Sequence, residues 1–258
     1  MKATHPTFTL PILACAVLVA LIAPAASGQP KAKNVDLFWQ RADFDSLKIK
    51  SIAFMPTVSF DHDLQKEQEA EDAMAQTIRA VQQRRAAAGE AAVYRWLSPT
   101  SVQALFKARP AADSVWKLQR ERALKSPQAR VDSLAAPVMC AALRVNALLT
   151  LRVDRMEKVE PEFNQAGKPT TTIACHAALV DSAGRLLWTA SGTEAGEGQY
   201  YDPSAGVQSV SGSGLAAKPK TGQMGAPEYK DVGARLFERW AQAFPRPAGV
   251  APPPKPSN

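Results

Sequence analysis

Cys175 and His176 are neighbours in the chain, and a thiol beside an imidazole is the pairing that nucleophilic catalysis uses. That chemistry needs the two side chains within hydrogen-bond reach. They belong to a run in which Ile173, Cys175, Ala177 and Leu179 alternate with Thr172, Ala174, His176 and Ala178, the period of a β-strand. Successive strand residues leave opposite faces, so the sequence predicts a buried cysteine beside a surface histidine and no thiol catalyst. A second cluster, Asp61-His62-Asp63 followed by Glu67, Glu69, Glu71 and Asp72, has the residue types that hold metals. A helix start favours acidic residues through its dipole, and one histidine among scattered carboxylates fixes no coordination geometry. The cluster predicts a solvated helix start, with no metal and no cofactor. G-x-S-x-G, H-E-x-x-H, C-x-x-C, G-K-[ST] and G-x-G-x-x-G are all missing, so no catalytic residue is assigned.

Two further pairs bear on stability and recognition. Cys140 and Cys175 are the cysteines left once an N-terminal targeting segment is set aside, and an exported protein lives where disulfides form. Their pairing would tie a helix to the central strand and stabilise the domain by about 3 to 4 kcal/mol. Two buried free thiols are the alternative. Tyr200 and Tyr201 lie in a Gly/Ser-rich stretch, where aromatic residues either contact a partner or fasten the loop to its own domain.

These residues need elements to carry them, and the chain divides readily. Between Lys2 and Lys31 there is no charged residue, and the apolar run Leu10 to Ala23 leads into Ala25-Ala26-Ser27-Gly28. Residues 1–28 read as a secretory signal peptide, too short in its apolar part for the roughly 20 residues of a membrane span. Cys15 sits inside that apolar run, so no lipid-attachment cysteine marks the cleavage site. The expected location is the periplasm or the exterior, with no transmembrane span in the mature chain. The formal charge is +7, but Lys and Arg are interspersed with Asp and Glu and form no basic block, which argues against nucleic acid as a partner.

Residues 29–244 suit a single α/β domain. Residues 31–49 are too apolar to stay in solvent and are expected to lie across it. Lys50 to Pro56 reads as a buried strand, residues 64–88 as a long helix with Ala70, Met74, Ile78 and Val81 inward, and Ala91 to Leu97 as a second strand. Ser98-Pro99 starts a helix by cap and first-turn proline. Residues 112–125 predict another helix capped by Asp113 or Ser114, and a further one before Val145 carries Pro137 in its first turn.

From Asn146 to Ala195 comes a three-strand antiparallel meander. In its first strand Leu149, Leu151 and Val153 face a core while Thr150, Arg152 and Asp154 face water; Asp181 to Gly184 makes the second turn. Residues 196–227 form a mobile loop, a helix from Pro227 to Phe244 buries Tyr229, Val232, Leu236, Trp240 and Phe244, and 245–258 is a disordered proline-rich tail. The expected architecture is a two-layer mixed sheet of about five strands, with helices mainly on one face.

This order of elements, with Ile52-Ala53-Phe54-Met55-Pro56 at the first strand, Leu143 to Leu149 entering the meander, and Leu179-Val180-Asp181 with Gly184 to Trp188 at its turn, resembles a bacterial envelope family. The family includes the curli-secretion-channel lipoproteins, the outer-membrane lipoprotein activators of peptidoglycan synthases, and the N-terminal domain of the Tol-system propeller protein. The likeness spans roughly residues 50–244. It departs from the family in lacking the cleavage-site cysteine, and the connector 156–169 does not offer the paired ~10-residue alternating strands of a membrane barrel. The resemblance implies an exported, non-catalytic envelope protein, an assembly or regulatory factor that docks on another envelope protein. A periplasmic small-molecule or polymer binding protein, or a hydrolase without a recognisable motif, are the alternatives.

Overall fold

The computed structural model describes residues 36–88, 94–127, 129–161, 167–198 and 225–246. The signal segment, Tyr200 and Tyr201 with most of the loop around them, and the end of the proline-rich tail lie outside the described residues.

The domain is α/β. Seven strands form one open mixed sheet: β1 (Leu37–Gln40), β2 (Ser51–Phe54), β3 (Val58–Ser59), β4 (Arg95–Leu97), β5 (Ala147–Val159), β6 (Thr170–Asp181) and β7 (Leu186–Glu197). Their order is β1-β7-β6-β5-β2-β4, with β3 also pairing with β5. The meander β5-β6-β7 is antiparallel, β1 adds antiparallel to β7, and β2, β3 and β4 run parallel to their partners. The meander strands are longer than their alternation suggested, 13, 12 and 12 residues, because β5 runs through the polar segment as far as Val159. Among the described residues five α-helices cover the sheet: α1 (Leu64–Ala87), α2 (Pro99–Lys107), α3 (Pro110–Lys125), α4 (Ala135–Leu143) and α5 (Tyr229–Ala243).

Local signals set most of these boundaries. Asp63 caps α1 by accepting from the backbone N–H groups of Gln65 and Lys66, and Ser98 caps α2 ahead of Pro99. α3 starts earlier than expected, at Pro110, whose fixed φ and missing N–H suit the first helical position. Pro137 lies in the first turn of α4, as its chemistry requires. The β6–β7 turn needs Gly184: its φ is +77°, and a Cβ there would come within 2.5 Å of the Ser133 carbonyl oxygen. Asp181 closes the same turn by accepting from the N–H groups of Ala183 and Arg185 and pairing with the Arg185 guanidinium.

The layering differs from the two-layer expectation. One face of the sheet, with Ile52, Phe54, Leu149, Leu151, Cys175, Leu179 and Trp188, packs against α1 and α5. The opposite face, with Ala53, Met55, Leu148 and Val180, packs against α2, α3 and α4. Helices therefore lie on both sides. The misleading residues are Thr150 and Arg152, assigned to water by alternation yet only 2 % and 5 % exposed. Thr150 donates its hydroxyl to the carbonyls of Ala129 and Ala178. Arg152 donates to the carbonyls of Ala123, Leu124 and Ser126 at the end of α3, where orphan carbonyls and the negative end of the helix dipole await a cation. A polar pair thus supports a buried layer because the Thr150 hydroxyl and the Arg152 Nε and Nη1 groups meet acceptors.

Candidate functional site

The helices of the second layer stop short of β7 and β1. Beyond α4 the sheet presents a half-buried row from β6 (Thr172, Ala174, His176) and β7 (Thr189, Ser191, Thr193), and at its margin stands β1, an edge strand. Leu37, Phe38 and Trp39 of β1 are 65 %, 44 % and 47 % exposed. The lead-in does reach the domain: Phe44 and Ile49 are buried in the core, while its first part adds to the sheet edge with Leu37, Phe38 and Trp39 exposed. In register Leu37 opposes Ser191 and Trp39 opposes Thr189, so these apolar residues border the polar row. Between β1 and the end of α3 lies a groove of about 230 Å³, lined by Leu37, Trp39, Pro127, His176, Thr189 and Ser191.

The groove floor is held rigidly. His176 opposes Arg152 on one side and Ser191 on the other. Its Nδ1 pairs with Asp154 Oδ2, and the other Asp154 oxygen accepts from Arg152 Nε at 2.7 Å. The Arg152 guanidinium also lies 5.1 Å from the Phe60 ring centroid. Asp154, His176 and Ser191 follow one another in the order of a charge-relay triad. One feature of a working one is missing among the described residues, a Ser191–His176 hydrogen bond. The row is suited to recognition, with an imidazole and two hydroxyls offered to a ligand.

The other sequence-flagged residues fall elsewhere. Cys175 is buried in the α1/α5 layer while His176 faces the groove, as alternation predicted. The expected Cys140–Cys175 disulfide is not formed: both cysteines are free, and Cys140 belongs to the α2–α4 layer on the other side of the sheet. A bridge would have to pass through the sheet, which the two-layer picture could not reveal. Burial pushes the Cys140 thiol up to about 12, helped by the charge of Asp181, and raises the Cys175 thiol as well.

The acidic cluster at α1 is not a solvated surface throughout. Asp61 and Asp63 pair with Lys66, Asp63 caps the helix, and Glu69 and Asp72 accept from Gln65 and Gln68. Glu67 and Glu71, however, are 7 % and 6 % exposed. Glu67 accepts from the Ser59 N–H and hydroxyl and from Arg120 at 2.7 Å, and Glu71 accepts from the Thr57 N–H at 3.0 Å. The four-residue spacing places both on one side of α1, where they fasten β3 and α3 to the helix.

A second concavity opens between the first layer and the sheet. It is lined by Ile78, Val81 and Arg85 of α1, Tyr94 and Trp96 at β4, Trp188 of β7, and Trp240 and Phe244 at the end of α5. The Phe244 ring meets those of Tyr94, Trp96 and Trp188 at centroid separations of 6.0, 5.7 and 4.9 Å. Tyr94 donates its hydroxyl to the Pro245 carbonyl, and burial raises its pKa.

No family model matches this chain, and no curated protein matches it. Among solved structures, the lipoprotein GNA1162 of Neisseria meningitidis is similar at 18 % identity, covering 60 % of this chain and 89 % of that one, with a TM-score of 0.36. The PelC dodecamer of Paraburkholderia phytofirmans is similar at 14 % identity over 64 % of this chain and 83 % of that one, TM-score 0.34. The hypothetical protein CT253 of Chlamydia trachomatis is similar at 9 % identity over 58 % and 76 %, TM-score 0.33. At such scores these likenesses carry no function across. No helix among the described residues is long and apolar enough to cross a membrane.

Proposed function

We propose that this chain is an exported envelope protein that works without catalysis, as an assembly or regulatory factor, by binding an extended segment of a partner protein along β1. The observation that carries this reading is the composition of the edge. Natural sheet edges are guarded by charges, proline or a bulge, because their unpaired N–H and C=O groups invite another strand. β1, Leu-Phe-Trp-Gln, has none of these guards, exposes three consecutive large apolar residues, and pairs only with β7 among the described residues. A strand added at such an edge gains main-chain hydrogen bonds and seats alternate side chains beside the sheet, here in the groove with His176, Thr189 and Ser191. The leader read from residues 1–28 supports the envelope setting.

Site-specific photo-crosslinking in the native host's envelope tests this. A crosslinker at Phe38 should give one discrete protein adduct, and a crosslinker at Glu121, exposed on α3, should not. Trp39→Ser should abolish the Phe38 adduct while leaving the fold intact. An identical adduct pattern at both positions, or none at Phe38, refutes the assignment.

A further inference from the structure

The register of β1 on β7 decides which of its polar backbone groups are left over. Arg41, one step past the strand, donates its N–H to the Leu187 carbonyl. Bonded pairs alternate along an antiparallel ladder, so Trp39 and Leu37 also turn their N–H and C=O groups toward β7. Asp36, Phe38 and Gln40 turn theirs outward. The free edge thus presents a donor and an acceptor at every second residue, and among the described residues no strand pairs with it.

The side chains add a second constraint. Phe38 stands opposite Ala190 on the α5 face, whereas Leu37 and Trp39 stand opposite Ser191 and Thr189 on the groove face. A two-fold axis through Phe38 meets both constraints at once. It sets Phe38 opposite its own counterpart, Leu37 opposite Trp39 and Asp36 opposite Gln40, so that every outward N–H faces an outward C=O. A slip of one residue would set outward groups against groups already bonded to β7. In the two-fold register the three exposed apolar residues are covered by the same three residues of the other copy, Phe38 on Phe38 on one face and Leu37 on Trp39 on the other. Charge agrees with this direction. Asp36 and Arg41 mark opposite ends of the strand and already pair with Arg239 and Asp43. Antiparallel association lays the acidic end of each strand beside the basic end of the other and drives no uncompensated charge into the seam.

We propose that the strand received by β1 is the β1 of a second copy of this chain, joined antiparallel about a two-fold axis through Phe38 so that the two sheets become one. The proposal rests on the reading of β1 as a docking edge and names its occupant. A seam four residues long makes a weak dimer, exchanging with monomer at roughly micromolar concentrations.

Sedimentation of the purified full chain from about 1 µM to about 1 mM tests this. A monomer–dimer equilibrium is expected. Because Phe38 meets itself, Phe38→Lys and Phe38→Glu should each weaken the dimer at least about tenfold by setting like charges together at the axis. Mixing the two variants in equal amounts should restore dimers, now heterodimers, and the circular dichroism of each variant should match wild type because the site is a half-exposed edge position. In the envelope, the adduct from a crosslinker at Phe38 should have twice the mass of the chain and yield peptides of this chain alone. A chain that stays monomeric throughout the series, dimers untouched by either charge, or a mixture that stays monomeric overturns the proposal. A discrete Phe38 adduct with a different protein also overturns it but leaves the docking edge standing, whereas no Phe38 adduct at all removes both.

Discussion

The two faces of the sheet are finished in different ways. On the α1/α5 face apolar side chains do the covering: Trp240, Phe237, Leu236 and Val232 of α5 meet Ile173, Ala190 and Trp188, and the arrangement is fastened at its margin by Arg239 between Asp36 and Glu194. On the opposite face α2, α3 and α4 cover only the parallel half and the start of the meander. There a second apolar core, with Val102, Phe106, Trp116 and Met139, meets Ala53, Leu148 and Val180, and polar anchors border it, Arg152 on the end of α3 and Thr150 on Ala129. Past those anchors lies the groove. Both faces close by hydrophobic area; on the second, hydrogen bonds finish the margin, and beyond it the sheet is left free for the groove.

That contrast can be broken by substitution. The largest effect is expected at Trp240→Ala, which removes a fully buried side chain from the first face: about 3 to 5 kcal/mol in a domain whose total is about 5 to 15. Urea unfolding followed by circular dichroism should show a much lower midpoint or loss of soluble protein. A normal midpoint would mean that α5 does not close this layer.

Arg152→Met keeps much of the volume but deletes the anchor of the second face. It leaves the α3 carbonyls without their donor and Asp154 with only His176, a loss of roughly 2 to 4 kcal/mol. Amide hydrogen exchange should loosen first in α3, with α1 and α5 still protected. Uniform loosening would show that the two layers are not distinct.

Glu71 gives a smaller effect with a diagnostic pH dependence. Burial holds its carboxyl above the ordinary range against the opposing Thr57 N–H bond. A raised carboxyl pKa favours the fold in the protonated state: that contribution is complete below the unfolded value of 4.5 and is lost as pH rises through the folded value. Glu71→Gln, which retains a carbonyl for Thr57, should therefore melt above wild type at about pH 7 and converge with it toward about pH 4. A gap that widens on acidification would reverse the assignment.

The smallest stability change is expected at Trp39→Ser, within about 0.5 kcal/mol, because the side chain is half exposed on an edge. Thermal melting should scarcely move even though the crosslink from Phe38 is lost. A drop comparable to that of Trp240→Ala would make β1 part of the core instead of a docking edge.

Local chemistry was legible along most of the chain. The alternation of residues 172–179 separated Cys175 from His176, Ser98-Pro99 and Pro137 marked helix starts, and Gly184 marked the turn that only a left-handed residue permits. These are short-range properties: a strand's pleat, a cap and a positive φ are fixed by neighbouring residues and survive in any tertiary setting. What the sequence did not reveal was partnership over distance. Arg152 and Thr150 look solvent-facing until α3 and Ala129 bring carbonyls to them, and Glu67 and Glu71 look like a helix surface until Ser59, Arg120 and Thr57 arrive. Nor does the tetrapeptide Leu37–Gln40 say that its apolar side chains will remain outside at a sheet edge. Whether a polar group can be buried depends on the acceptor or donor supplied by a segment dozens of residues away, and so the second helical layer, the separation of Cys140 from Cys175 and the open groove were decided only by the tertiary structure.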